Sequence, residues 1–294
     1  MAIQKYQAFL KVVELGSITR AAEALGYTQS AVSRMVADLE EEWQLNLLNR
    51  SRGGLSLSSD GIMMLPYIKD LCERHEALQE EANSLKGLDT GFIRIGTFSS
   101  VSTQVLPSIL KTFNTRYPHI GFQLITMDHI EVEAALCSGE IDCGFISVPV
   151  SDKVDSSFLM RDRMVAVLPP EHPLNDELAY PLQQFCNEPY IKLTDEHPNE
   201  VSMVVEKLNT MLVAPLKVLC EVNDDYSVMA MVESGLGVSI LPELVTARMP
   251  FNVCLKEFDP PQYRDISIAV KKGRHPSPAT EKFIQVVKEY FRTM

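Results

Sequence analysis

Apolar side chains recur at the spacing of an α-helix at the start of the chain. Five of them would share one buried face: Ile3, Tyr6, Phe9, Leu10 and Val13. Gly16 ends this predicted helix, and Ser17 or Thr19 caps a second helix over 19–25 that Gly26 ends. The chain therefore begins with two short helices separated by a glycine-containing break.

A third helix is predicted from Gln29 to about Glu40, with Thr28 as its cap. With the second helix it forms a helix-turn-helix, whose second helix enters the DNA major groove with its N-terminal half. The inward positions of the third helix are apolar: Val32, Met35, Val36 and Leu39. Gln can pair with adenine, Arg with guanine, and Ser with a base or a phosphate. The polar positions expected to contact DNA are Thr28, Gln29, Ser30, Ser33 and Arg34.

A β-hairpin, or wing, is predicted after the third helix. Segments 47–51 and 55–58 alternate in part, and the Gly53-Gly54 pair between them suits a tight turn. Arg50 and Arg52 near its tip would meet phosphate or a minor groove. Spacing alone leaves an alternative open, namely a small helical bundle with a surface hairpin that never touches DNA.

A long helix is predicted from Ser58 to about Leu85. Apolar positions along it step by four and three residues, which is the a/d seam of a coiled coil. The residues expected to pair with a second chain are Met64, Ile68, Leu71, His75, Leu78 and Leu85. The alternative is that this face packs on its own chain. A dimer would present two helix-turn-helix units to two half-sites on DNA.

Strands and helices alternate beyond the hinge at 87–91. A β-α-β-α-β order spans 92–146 and returns over 190–241, which predicts parallel sheets with helices on their faces in two lobes around a cleft. Ligands of such sheets bind beyond the carboxyl ends of the strands, at helix N-termini. Four hydroxyl side chains lie at the first such place: Ser99, Ser100, Ser102 and Thr103. An anion or carboxylate would fit there, and ordinary helix capping is the alternative.

Charge and composition narrow the functional classes. The net charge is −12, yet residues 1–58 hold six basic and six acidic side chains, so the whole excess of acid lies beyond them. A neutral N-terminal region on an acidic body binds DNA only through a few well-placed arginines. The six cysteines are scattered without a CxxC pair, no run approaches the roughly 20 apolar residues of a membrane span, and the charged N-terminus is unlike a secretory signal. These features predict a cytoplasmic protein.

Enzyme chemistry finds no support in the motifs. The sequence has no GxSxG, Walker-type loop or HExxH, and the six histidines have no partners at metal-ligand spacing. No metal, cofactor or catalytic residue is predicted. Cys137 and Cys143 lie six residues apart, and paired core or surface thiols explain them more simply than a redox switch, because nothing in the sequence lowers their pKa.

Several segments, in this order, resemble the LysR-type transcriptional regulators over essentially the whole chain. The N-terminal matches are 16–22, 29–33, Leu39-Glu40, Arg50 and the turn 57–61. The C-terminal matches are 93–96, Leu106-Pro107, Tyr117-Pro118, 139–142 and 235–242. The chain departs from the family at Gln44 and Leu48, where Gly and Phe are common, so the turn into the wing is expected to differ.

The resemblance implies an α/β protein with an N-terminal winged helix-turn-helix and a two-lobed effector domain like type 2 periplasmic binding proteins. It divides the chain into a DNA-binding domain at 1–58, a dimerising linker helix at 59–87 and an effector domain at 88–294. Lobe one would hold about 91–161 and 264–294, and lobe two about 162–263.

The resemblance also implies function and partners. It implies effector contacts from Ser99, Ser100, Val101, Ser102, Met127, Asp128 and Asn199. The expected partners are promoter DNA, a small-molecule effector for which an anion is a candidate, further copies of the chain up to a tetramer, and RNA polymerase. A cytosolic small-molecule binding protein whose helical head serves only assembly is the alternative function.

Overall fold

The computed structural model describes residues 3–51, 54–85, 89–147, 151–194 and 200–293. The chain separates into two compact units, an N-terminal unit of residues 1–88 and a C-terminal unit of residues 89–294. No helix in these described ranges combines the length and the apolar character needed to cross a membrane.

The N-terminal unit is a helical bundle with a hairpin and one long helix. Its elements are α1 (Gln4–Leu15), α2 (Ile18–Leu25), α3 (Gln29–Trp43), β1 (Leu48–Ser51), β2 (Gly54–Leu57) and α4 (Ser59–Ser84). The predicted helices and hairpin are confirmed, with α3 three residues longer than expected. The Ser17 hydroxyl, rather than Thr19, caps α2 by accepting from Arg20 N–H, and the Thr28 hydroxyl caps α3 by accepting from Ala31 N–H.

Apolar faces of the first three helices meet in one core. Its fully buried members include Phe9, Val12, Val32, Val36 and Leu39. Burial of side chains of this size contributes about 1.5–3 kcal/mol each, so this core holds the short helices together where helix propensity alone would not.

The C-terminal unit holds two lobes. Lobe one contains β3 (Gly91–Thr97), α5 (Ser99–Gln104), α6 (Leu106–Arg116), β4 (Ile120–Thr126), α7 (His129–Ser138), β5 (Cys143–Ile146) and α11 (Pro278–Thr293). Lobe two contains β7 (Tyr180–Pro181), a 3₁₀ turn (Leu182–Asn187), β8 (Pro189–Leu193), α8 (Glu200–Met211), β9 (Lys217–Val222), α9 (Asp225–Glu233), β10 (Ser239–Pro242) and α10 (Glu243–Thr246). Two long strands, β6 (Val154–Leu168) and β11 (Cys254–Lys271), run through both lobes.

The seven-stranded sheet of this unit is mixed, whereas the sequence pattern predicted parallel sheets; β8 and β9 form a separate sheet, which is parallel. β3 pairs in parallel with β4 and β5, and β8 with β9, as expected for β-α-β units. β6 pairs antiparallel with β10 and β11, and β11 with β5. The single helix predicted over 101–116 is also divided, because the chain breaks between α5 and α6 at Val105, just before Pro107.

Each lobe has its own apolar core. Ile93, Phe113, Phe145 and Phe283 belong to the core of lobe one. An aromatic cluster dominates lobe two: Tyr180, Phe185, Tyr190 and Phe258. Within the described residues, β6 and β11 cross between these separate cores, and such an arrangement allows lobes to change their angle while each keeps its packing.

Candidate functional site

The exposed face of α3 carries the side chains predicted to contact DNA. Gln29, Ser30 and Arg34 are exposed and Ser33 is half-buried, whereas the opposite face of α3 lies in the core. Thr28 is exposed as well, but its hydroxyl already accepts from Ala31 N–H at 3.2 Å and lies 3.1 Å from the Ser30 hydroxyl. The N-terminal half of α3 therefore offers amide, hydroxyl and guanidinium groups to a partner.

The wing is only partly described. Arg50 lies in β1, opposite Leu55 of β2, but its side chain and the whole of Arg52 are outside the described residues. Tyr27, which is not among the side chains that the sequence predicts to contact DNA, is 42% exposed and directly precedes Thr28, the cap of α3. Its signal in the sequence was a large aromatic side chain at a turn position.

A glutamate of α3 fixes the chain that enters the wing. The Glu40 carboxylate accepts from the backbone N–H groups of Leu47 and Leu48 at 2.7 and 3.1 Å. Gln44 between them adopts the left-handed conformation, with φ of 54°. The turn thus keeps a left-handed residue at the position where the family commonly has glycine.

The predicted dimer seam divides into two parts on α4. Ile68 is only 2% exposed and belongs with Cys72 to the core of the N-terminal unit, and Met64 is half-buried against that core. Ile68 therefore packs on its own chain, as the alternative interpretation had it. Leu78 and Leu85, with exposures of 66% and 81%, and Leu71 point away from that core, and so do the unpredicted Met63 and Tyr67. His75 is half-buried, with Nε2 3.1 Å from Gln79 Nε2.

A cleft of about 410 Å³ lies between the lobes of the C-terminal unit. The residues that line it are Phe98, Ser99, Ser100, Thr126, Met127, Asp128, His129, Glu131, Leu193, Val201, Asn223, Asp224, Asp225, Pro242, Val245 and Arg264. Its position beyond the carboxyl ends of β3 and β4 is the one expected for a ligand site in an α/β sheet.

The structure brings some predicted effector contacts to this cleft and not others. Ser99, Ser100, Met127 and Asp128 line it. Val101 is outside the lining, since its side chain is fully buried in the lobe-one core on the inner face of α5. Ser102 is outside the lining, and its hydroxyl donates to the Ser99 carbonyl at 2.9 Å. Asn199 lies outside the described residues.

The floor of the cleft holds a buried ion pair that the sequence reasoning missed. Arg264 Nε and Asp162 Oδ2 are 2.8 Å apart, and Arg264 Nη2 donates to the Ser100 hydroxyl at 2.9 Å. The guanidinium also lies 5.2 Å from the centre of the Phe98 ring. Burial raises the pKa of Asp162, and Arg264 opposes that shift. No local signal could have paired residues that are 102 positions apart.

The charge of the lining does not support the expected anionic effector. Four carboxylates face the cleft: Asp128, Glu131, Asp224 and Asp225. Asp128 and Glu131 form a capping box at the start of α7, and Asp224 accepts from Ser227 N–H at 2.7 Å at the start of α9. Hydrogen bonds from the Ser227 side chain and backbone lower the pKa of Asp224. The positive ends of these two helices are therefore already satisfied by the chain's own carboxylates, which would repel an anion.

Two family models match this chain. The model described as a bacterial regulatory helix-turn-helix protein of the lysR family matches residues 3–62, and the one described as a LysR substrate binding domain matches residues 86–292. This chain belongs to the LysR family. It is a DNA-binding transcriptional regulator with an effector-binding domain, and its relatives are regulators rather than enzymes.

Relatives and solved structures align with this LysR-family chain along its whole length. YvbU of Bacillus subtilis, an uncharacterized transcriptional regulator, is 32% identical with 99% of each chain covered. LrrA of Synechococcus elongatus, a probable regulator, is 32% identical over 98% of this chain and 97% of its own. A full-length OxyR variant from Pseudomonas aeruginosa superposes with a TM-score of 0.77 at 19% identity, covering 99% and 95% of the two chains. Full-length CbnR in complex with its target DNA gives 0.65 at 20% identity, covering 99% and 100%.

Proposed function

We propose that α3 reads base edges in a promoter and that a small molecule in the cleft controls how paired copies of α3 are held. The observation that supports this proposal most directly is that α3 has one exposed polar face and one buried apolar face. Gln29, Ser30 and Arg34 are exposed on one side, and Val32 and Val36 are fully buried on the other. A helix supported in this way can lay its polar face in the major groove without disturbing its core.

The exposed apolar side chains of α4 support a dimer through the linker helix. Leu71, Leu78 and Leu85 are spaced by seven residues, which keeps them on one side of a supercoiled helix. Two paired chains would hold two α3 helices for two half-sites, and pairs of dimers would form a tetramer. The DNA-binding domain would then span 1–58, the linker helix 59–87 and the effector domain 88–294.

The cleft supports binding of a small, polar effector. Its volume of about 410 Å³ lies in the range of small-molecule sites, and polar groups converge on it from both lobes. The effector must bind two lobe arrangements with different affinity, because a ligand of equal affinity shifts no equilibrium. A change of lobe angle would alter the spacing of the DNA-binding units and their access to RNA polymerase in the cytoplasm.

A thermal-shift screen of the full-length protein against metabolites tests the effector site. A compound that binds the native state raises the melting temperature. We expect a hit to stabilise the wild type and to stabilise Ser100→Ala less, with Ser102→Ala as the matched control that retains the full shift. A hit that stabilises Ser100→Ala fully would remove Ser100 from the site.

A further inference from the structure

One chain of hydrogen bonds connects the two walls of the cleft through both strand crossings. Arg264 of β11 donates to the Ser100 hydroxyl of α5 in lobe one at 2.9 Å and pairs with Asp162 of β6 at 2.8 Å. The other oxygen of Asp162 accepts from the backbone N–H of Leu244 in α10 of lobe two at 3.1 Å. Ser100 and Arg264 both line the cleft, so this chain begins at the ligand site. It ends at α10, a helix that contacts both lobes, because Leu244 packs against the lobe-one core and Val245 belongs to the lobe-two core.

Stability alone gives a poor account of this arrangement. Ser100, Asp162 and Arg264 are each only 4% exposed. A buried ion pair loses hydration that its attraction only partly restores, so packed apolar side chains would hold the crossing strands at least as well. What the pair adds is direction, because the planar guanidinium holds its partners at fixed angles.

The adjacent residues of the same two strands form a second ion pair, in which the acid and the base have exchanged strands and the environment is different. Arg161 lies opposite Asp265, and Arg161 Nε donates to Asp265 at 2.8 Å. Successive residues of a strand face opposite sides, so this pair is on the solvent side, with side-chain exposures of 59% and 51%. It shares the strands and the chemistry of the buried pair, and neither residue lines the cleft.

We propose that the Asp162–Arg264 pair couples the effector site to the angle between the lobes. A ligand group that bonds to Ser100 alters the hydrogen bond from Arg264, and Asp162 passes the change to α10. Arg264 and Asp162 are thus positioning residues, and a relative rotation of the lobes must stretch or rebuild this chain. The inference rests on the proposed effector function of the cleft.

Hydrogen exchange at the Leu244 amide tests the coupling in the full-length protein without an effector. Ser100→Ala removes the first bond of the chain with little change of volume and no change of charge. We expect exchange of the Leu244 amide to accelerate about threefold or more, the size of effect seen between coupled groups. Ser102→Ala, on the same helix with its hydroxyl bonded locally, should leave that exchange rate unchanged.

A double-variant comparison then isolates the ion pair. Asp162→Asn should also accelerate exchange at Leu244, and adding Ser100→Ala to it should produce no further acceleration, because the connection is already broken. Asp265→Asn is the matched control and should behave as wild type. The proposal is overturned if Ser100→Ala exchanges like Ser102→Ala, or if its effect is the same in the Asp162→Asn background.

The comparison of the two serine variants stands on its own if Asp162→Asn fails to fold. Because no ligand is used, its outcome is independent of the thermal-shift screen. A failed screen with coupled exchange would reject the effector function and retain the mechanical connection, whereas a successful screen with uncoupled exchange would reject only the connection.

Discussion

Gly61 packs directly on the backbone carbonyl of Leu47, so that an added Cβ would overlap the carbonyl oxygen. The Leu47 carbonyl cannot easily yield, because it accepts from Ser58 N–H at 3.0 Å, and the N–H of the same peptide, that of Leu48, donates to the Glu40 carboxylate at 3.1 Å. The Leu47 side chain is also fully buried. The first turn of α4 and the entry to the wing are thus held against each other. This contact fixes where the linker helix leaves the DNA-binding bundle.

Gly61→Ala should therefore destabilise the N-terminal unit. Forcing a methyl group into a packed site costs about 1–3 kcal/mol. Urea denaturation of the full-length protein, followed by a signal from Trp43 in this unit, measures the effect. Glu81→Ala, at an exposed position of the same helix, is the control. Equal midpoints for the two variants would show that Leu47 moves aside freely.

Gln44→Gly, in contrast, should stabilise the N-terminal unit. The left-handed conformation of Gln44 costs a residue with a Cβ about 1–2 kcal/mol, which glycine avoids. Loss of the bond from Gln44 Nε2 to the Glu41 carbonyl, 2.7 Å long and exposed, offsets part of this gain. We expect a net stabilisation of about 0.5–1 kcal/mol in the same denaturation experiment.

The control for Gln44→Gly is Glu41→Gly in the last turn of α3, which should cost about 1 kcal/mol. Destabilisation of both variants to the same extent would mean that the turn carries no backbone strain.

Local features of the sequence predict the helices well, but they do not predict contacts between residues far apart in the chain. The caps at Ser17 and Thr28 and the stop at Gly26 are set by neighbouring residues, so α2 and α3 could be placed closely. A strict seven-residue repeat places Ile68 in the dimer seam. A straight helix drifts about 20° per heptad from that repeat, and near its start α4 turns this position into its own core.

The strands between the lobes and their ion pair could not be predicted in the same way. Burial along β6 changes character where the strand passes from one lobe into the other, so no period of two persists over its length. Asp162 and Arg264 are brought together only by the pairing of β6 with β11. The serines of α5 could be predicted because a strand followed by a helix identifies that turn, whereas Arg264 had no such context.

Leu78→Glu should weaken self-association. Leu78 is exposed in the single chain, and a charge at the centre of a paired apolar face would lose its hydration. We expect the dissociation constant of the dimer to rise about tenfold or more, a typical effect at a central interface residue. Sedimentation equilibrium measures this. Gln79→Glu adds the same charge one residue away, and similar dissociation of both variants would argue against Leu78 as an interface residue.

Two buried thiols should resist alkylation at pH 8. Burial raises the pKa of Cys143, which is fully buried in β5, and burial with the nearby Glu76 and Glu73 raises the pKa of Cys72 to about 11. Iodoacetamide followed by peptide mass spectrometry should find both unmodified while the half-buried Cys137 reacts. Rapid modification of Cys143 in the native protein would contradict its placement in the core.

The raised pKa of Cys72 makes the free energy of unfolding depend on pH. The pKa of the Cys72 thiol is 9.0 in the unfolded chain and about 11 in the folded protein. The native state therefore holds a proton that the unfolded state loses, so this contribution to stability is complete below pH 9 and declines as the pH rises toward 11. Replacing Cys72 with Ala should remove this part of the alkaline decline in the free energy of unfolding.

Fluorescence anisotropy with the full-length protein and a duplex from the promoter beside its own gene tests the central claim most directly. At moderate ionic strength the wild type should prefer this duplex over a shuffled one by about a thousandfold or more. Arg34→Ala should lower that preference about a hundredfold, since a dimer loses two arginine contacts, while Lys11→Ala, which removes the same charge from α1, should retain it. Equal affinity of the wild type for both duplexes, or an Arg34→Ala variant that discriminates as well as Lys11→Ala, would contradict reading of DNA by α3.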